Sequence, residues 1–315
     1  MKKFLKIVLI IIILVLIIIT GLVVYNKIAT HMDKKALQNS YGKKIALACG
    51  DAINVCEYGS GDKTIVVLPG FGSVSPAMEY KGLAMEMPDY HFVVFEPFGY
   101  GLSDITDIPR TSDNICDEVH ETLDILGLNH YTLMAHSVSG LYSMNYLNKY
   151  RNEIDGFIGI DVSYYGMDSS ESEQLISSLK SANVLNNMGI IRILSIASKD
   201  EEIILPQLLD LLNENEIRIC RRLSYFNSVN SDLIDEAKHM DKNTEKIKEM
   251  SFPKNLKVQL YVSGENCKDT PDWEQGHKKL INDCIDASCE ILDGGHYLHL
   301  DCTKELAEKI IKRMQ

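Results

Sequence analysis

Between Ile53 and Leu292, short runs rich in β-branched and aromatic residues alternate with stretches whose apolar residues recur at helical spacing. That rhythm limits the fold more than any other feature, because parallel strands need long crossovers and those crossovers place helices over the sheet faces. Strands are expected at Ile53–Tyr58, Thr64–Leu68, His91–Phe95, Tyr131–Ala135, Phe157–Ile160, Lys257–Val262 and Cys289–Leu292. A helix is expected where Ile115, Val119, Leu123 and Leu126 repeat after Thr111-Ser112-Asp113, and Gly127 ends it. The expected class is α/β, a mostly parallel sheet covered by helices. With 45% hydrophobic and 24% charged residues among 315, the chain can build a full-sized core, and disordered, collagen-like and coiled-coil classes are excluded.

The rhythm breaks for about 88 residues between Tyr164 and Ser251, which read as polar-faced helices at Glu171–Lys180, Glu202–Leu212 and Ile217–Tyr225. A structureless loop of that length inside a compact domain is improbable, so the stretch is expected to be an inserted helical cap over a site. The resulting division is an anchor at 1–28, a polar tether at 29–45, a core at 46–163, the cap at 164–251 and the rest of the core at 252–315.

Ile7 to Val24 is an uncharged run of 18 residues, about 27 Å as a helix, close to the thickness of a bilayer's hydrocarbon. It exceeds the apolar region of a secretory signal and no A-x-A-like site follows, so it reads as an uncleaved single membrane span. Lysines flank it on both sides and do not decide its orientation. A short basic tail stays in the cytoplasm while a long domain translocates largely regardless of charge, so the domain is expected outside the cell membrane. Lys2, Lys3, Lys6 and Lys27 meet no acid within 1–28, so a net charge of −12 leaves −16 on the remainder. Such a domain repels nucleic acid. The eight cysteines form no C-x-x-C pair and no Cys/His ladder, so no structural metal is expected. In an oxidising space Cys49 with Cys56, or Cys284 with Cys289, could pair; otherwise the thiols serve as small buried hydrophobes.

Tyr131-Thr-Leu-Met-Ala135-His136-Ser137-Val138-Ser139-Gly140 runs from a strand into a helix, with small residues two before and two after a central serine. This is the pattern of a nucleophile elbow, a strained turn that raises a hydroxyl above the sheet edge and offers the next residue's N–H, here that of Val138, to a developing oxyanion. Ser75, between Ser73 and Ala77, matches the same spacing, but Pro76 follows it and has no N–H to give. A serine that only caps its helix is the alternative for Ser137.

The chain resembles the α/β-hydrolase fold superfamily, and within it the capped, membrane-tethered bacterial serine hydrolases, over about residues 46 to 315. The resemblance is carried by Leu68-Pro69-Gly70-Phe71-Gly72, by Glu96-Pro97-Phe98-Gly99-Tyr100-Gly101-Leu102-Ser103-Asp104, by Ala135-His136-Ser137 and by Gly294-Gly295-His296. It implies that the Phe71 backbone N–H is the second oxyanion donor beside Val138, with Pro69 replacing the histidine usual in that loop. It also implies the order serine, acid, histidine, which selects His296 as base among nine histidines, with His299 its nearest rival. His136, inside the elbow, is expected to point away from the serine hydroxyl. Relatives usually carry the acid three residues after the glycine ending the seventh strand, where this chain has Cys267. Some place it at the end of the sixth strand, where Asp161 stands; Glu265 and Asp269 are the alternatives.

The implied activity is a serine hydrolase acting on a small-molecule acyl substrate, an ester first, with neither cofactor nor metal. Relatives that open epoxides use an aspartate nucleophile, which Ser137 argues against. An aminopeptidase, a thioesterase, a carbon–carbon hydrolase, or a binding module that has lost turnover stays open on sequence.

Overall fold

The computed structural model describes residues 1–166 and 172–315. Eight strands form one sheet: β1 Lys43–Ala46, β2 Ala52–Tyr58, β3 Lys63–Leu68, β4 Tyr90–Glu96, β5 Tyr131–His136, β6 Ile154–Ile160, β7 Lys257–Ser263 and β8 Asp286–Leu292, in the order β1-β2-β4-β3-β5-β6-β7-β8. From β4 onward every neighbour is parallel, while β2 runs antiparallel to β4 and to β1. In the central strands Tyr131 to His136 are all buried, as befits a sheet covered on both faces.

Strand side chains alternate between two cores. Val66, Leu68, Leu133 and Ala135 face α3 Ser112–Ile125 and α4 Ser139–Lys149, meeting Ile115, Val119, Leu141 and Leu147. Ile65, Val67, Met134 and Ile158 face α2 Pro76–Glu86 and the C-terminal helix, meeting Tyr80, Leu83, Leu306 and Ile310. The α3 helix starts where its sequence indicates, with the Thr111 side chain accepting from the Asn114 N–H. Register fixes the strand ends near the centre of the sheet: His136 lies opposite Ile160, and Ile160 opposite Tyr261.

The first helix, α1 Lys2–Leu37, is longer than the apolar run that marks it. Among the described residues it is the one helix long and apolar enough to cross a membrane, and its apolar stretch is unburied. The expected tether at 29–45 departs from that description, since it carries α1 to Leu37 and then β1. The reason is a stripe of mostly polar residues at helical spacing, Asn26, Thr30, Asp33 and Leu37, which packs inward and gives no apolar periodicity to read. β1 was equally silent, having one buried residue, Ile45.

Between β6 and β7 lie α5 Ser172–Asn187, α6 Ile190–Ala197, α7 Pro206–Leu211, α8 Glu214–Asn227 and α9 Ser231–Lys246. The expected helix start at Glu171 lies outside the described residues. α6 and α9 have no counterpart among the helices expected from sequence. α9 carries buried polar residues, Asp232, Glu236 and Asn243, on its inner face, which breaks the apolar stripe. This helical unit has its own core, in which Leu208, Leu212, Ile219 and Leu223 meet Met78, Leu300 and Leu37. Polar bonds also hold it to the core: Asn227 and Asn230 donate to the carbonyls of Gly101 and Gly99, and Glu236 accepts from the Tyr100 and Tyr142 hydroxyls. The chain closes with α10 Gly264–Asp269, α11 Trp273–Leu280, α12 Leu298–Asp301 and α13 Thr303–Met314. All eight cysteines are free thiols, so neither Cys49–Cys56 nor Cys284–Cys289 is paired.

Glu79, in the first turn of α2, is 8% exposed, and burial, with the Glu96 carboxylate adding to it, pushes its carboxyl up to about 7. The folded chain therefore keeps a proton that the unfolded chain releases near the ordinary 4.5, and stability falls as pH rises through that window. Glu79→Gln is expected to raise Tm above wild type at pH 8 and to leave it nearly unchanged at pH 5. Scanning calorimetry at both pH values checks this, and an equal difference at the two would contradict the assignment.

Candidate active site

Ser137 is the first residue after β5 and adopts φ 54°, a left-handed backbone that a non-glycine residue holds only under constraint. The constraint is visible in its bonds. Its N–H donates to the Ile160 carbonyl at 3.2 Å, and its carbonyl accepts from Ser163 at 2.8 Å and Gly140 at 2.9 Å. A Cβ at Gly140 would lie 2.6 Å from Val162 Cβ, so α4 leaves the elbow tightly against the segment after β6. The tightest packing thus falls one residue later than Ser139, whose hydroxyl instead donates to the Pro69 carbonyl and ties the elbow to the loop after β3.

Across from Ser137, the Gly294-Gly295 turn after β8 delivers His296. Its Nε2 lies 2.8 Å from Ser137 Oγ and its Nδ1 2.6 Å from Asp161 Oδ2. Asp161 caps the end of β6 with φ 42° and is fully buried. Its Oδ1 accepts from the Ser263 N–H at 2.9 Å and from Trp273 Nε1 at 2.8 Å, and Oδ2 also accepts from Asn266 Nδ2 at 2.5 Å. Burial alone would raise this carboxyl; the hydrogen bonds from His296, the Ser263 backbone and Trp273 outweigh it and hold it below the ordinary carboxylate range. The group therefore stays an anion at neutral pH, and its Oδ2 can accept from an Nδ1–H of His296, a tautomer that would leave Nε2 facing the Ser137 hydroxyl as an acceptor.

The other candidates lie elsewhere. Glu265 sits in the first turn of α10 and Asp269 at its end, and neither bonds His296. His299 is buried and stacked on Tyr80 at 4.4 Å, and burial together with the nearby His296 pushes it down to about 3. His136 points away from the Ser137 hydroxyl: its Nε2–H donates to the His296 carbonyl at 2.9 Å, and burial, with His299 and His296 beside it, keeps it neutral. Ser75 is the N-cap residue of α2 with Pro76 following, and its hydroxyl is buried.

Phe71 follows Gly70 in the loop after β3. A Cβ at Gly70 would stand 2.5 Å from His136 Nδ1 and 3.3 Å from Ser137 Cβ, so only glycine lets this loop approach the elbow. Among the described residues no backbone acceptor takes the N–H of Phe71 or of Val138. N–H groups left without such an acceptor next to the elbow could hold a developing negative charge, a term worth several kcal/mol. No group of three or more metal-ligating side chains occurs among the described residues. Trp273, Asn266 and Ser263, which complete the shell of Asp161, carry no motif in the sequence. The one available signal was that Trp273 is the chain's single tryptophan.

The sequence profile of the α/β hydrolase fold matches residues 63–186. Two solved structures share the architecture: an esterase from Thermogutta terrifontis, with TM-score 0.62, 17% identity and coverage of 87% of this chain and 98% of the esterase, and an epoxide hydrolase from Vigna radiata, with TM-score 0.65, 14% identity and coverage of 87% and 97%. The chain has the α/β-hydrolase fold. The Bacillus subtilis protein YbdG, described as uncharacterised, is 28% identical over 225 residues, which are 69% of this chain and 68% of YbdG.

Gly70→Ala tests whether the close approach of the loop and the elbow is required. Overpacking of this kind costs about 1–3 kcal/mol, read as a lower denaturation midpoint, whereas an unchanged midpoint would mean that the loop yields freely.

Proposed function

We propose that this protein is a membrane-anchored serine hydrolase that cleaves an ester-like acyl bond. The reading rests on one observation, the imidazole of His296 bonded to Ser137 Oγ on one side and to Asp161 on the other. In the proposed cycle Nε2 of His296 takes the Ser137 proton as the oxygen attacks the acyl carbonyl. The Phe71 and Val138 N–H groups stabilise the oxyanion. The imidazolium, stabilised by Asp161, then protonates the leaving alcohol, and a water deprotonated by His296 releases the acyl group and restores the serine. The helices between β6 and β7 act as the cap that selects the acyl chain.

The elbow side chain separates the structural neighbours' chemistries. An epoxide hydrolase is among them, but a hydroxyl presented by Ser137 suits acyl transfer, whereas alkylation by an epoxide is the chemistry of a carboxylate nucleophile. The long apolar α1 helix supports a single membrane span; the orientation proposed with it, amino terminus inside and domain outside the cell, rests only on the short basic tail before the span.

A fluorophosphonate probe applied to the full chain is expected to label wild type and to leave Ser137→Ala unlabelled; absence of labelling on folded wild type would favour a binding module without turnover. With p-nitrophenyl esters, Asp161→Asn is expected to lower kcat by about 10³- to 10⁴-fold through loss of the tautomer. Glu265→Gln should stay near wild type, and a reversal of these two results would move the acid to Glu265.

A further inference from the structure

Arg192 is the only charged residue of α6 and is turned inward, 2% exposed. Its Nε donates to Asn26 Oδ1 at 2.8 Å, one terminal nitrogen donates to Thr30 Oγ1 at 2.9 Å, and the other pairs with Asp33 at 2.5 Å. Asn26 in turn donates to the Asn186 carbonyl at 2.8 Å. The glycine between α5 and α6, Gly189, has φ +79°, and a Cβ there would stand 2.8 Å from Asn26 Cβ and 3.3 Å from the Leu22 carbonyl oxygen. The α5–α6 corner therefore abuts α1 between Leu22 and Asn26, the turn in which the uncharged run ends at Val24.

This fixes a level. A run of about 27 Å nearly fills a hydrocarbon layer of about 30 Å, so if α1 spans the bilayer, the boundary between acyl chains and headgroups passes at the corner. The two helices that meet at this corner expose apolar residues: Leu194 is 61% exposed, Val184 58% and Ile196 51%, and Ile193 and Leu185 are exposed as well. In water such exposure is unfavourable, and Val184 lines one cleft together with Val23 of α1. Lys27 lies one turn beyond Val24 on α1, where anionic headgroups would stand, although the domain as a whole is acidic.

We propose that the α5–α6 corner is a second membrane contact, in which Val184, Leu185, Ile193, Leu194 and Ile196 enter the lipid interface beside the spanning helix. The inference rests on the reading of α1 as a membrane span. Its occupant is the bilayer itself, and the mode is that of an interfacial helix whose apolar face sinks to the acyl boundary. The single charge of α6 is spent on α1, so desolvating its outer face strands no ion.

The test uses the full chain in nanodiscs made with or without brominated-acyl phosphatidylcholine. Tryptophan is placed at Leu194, at Ile13 within the span, or at Ile285, 83% exposed just before β8. The single native Trp273 is buried and gives a constant background. Leu194→Trp and Ile13→Trp are expected to lose the added emission by at least roughly twofold on bromination, and Ile285→Trp to lose none. Quenching at Ile13 without quenching at Leu194 would overturn the second contact and leave the anchor standing. Quenching at neither would remove the anchor and the contact together. Emission at Leu194 that is blue-shifted but indifferent to bromine would assign the patch to a second copy of the chain and also overturn the proposal. Each variant is accepted only if fluorophosphonate labelling at Ser137 matches wild type, or, should wild type not label, if its melting curve does.

Discussion

An imidazole between a hydroxyl and a carboxylate is useful only if all three are held, and here each comes from a different segment of the chain. Ser137 is held by a left-handed turn bonded to Ile160 and Ser163, Asp161 by four donors around its two oxygens, and His296 by its carbonyl's bond from His136. None of these restraints is local in sequence. Removing the anion from beneath the imidazole would leave buried donors at Ser263 and Trp273 unpaired, so the cluster is better understood as one polar network than as a row of three residues.

The inserted helices are joined to that network's surroundings with similar thoroughness. Asn227 and Asn230 satisfy carbonyls of the turn after β4, while Tyr100 and Tyr142 converge on buried Glu236. Arg110 and Glu118 form a buried, two-pronged pair nearby. The Arg110 backbone in turn donates to Asp235 and accepts from Asn243 of α9, which gives the inserted helices a defined seat and not a loose hinge.

Sequence carried the strands well because a strand buried on both faces reads as an uninterrupted apolar run, as Thr64–Leu68 does. It carried the elbow because a strained turn restricts its flanks to small residues. Asp161 stayed one of three candidates, since the distance from a carboxylate to an imidazole 135 residues away is a property of packing. The donors from Asn266 and Trp273 were invisible for the same reason. Beyond Val24, α1 was hidden by its own chemistry: Asn26, Thr30 and Asp33 face inward to bind Arg192, and a mostly polar inner face defeats a search for apolar periodicity.

Asp161 leaves the sheet at the end of β6, where the ladder sets Ile160 opposite both His136 and Tyr261. The sheet consequently serves as a measuring rule for this side chain: sliding β6 by one residue would displace the carboxylate by about 3.3 Å and turn it to the opposite side. A side chain borne on a loop can drift with its surroundings, whereas the Asp161 carboxylate inherits its coordinates from backbone pairing on two flanks. Substitutions that loosen the middle of the sheet should therefore be felt as misalignment at the imidazole before they are felt as unfolding.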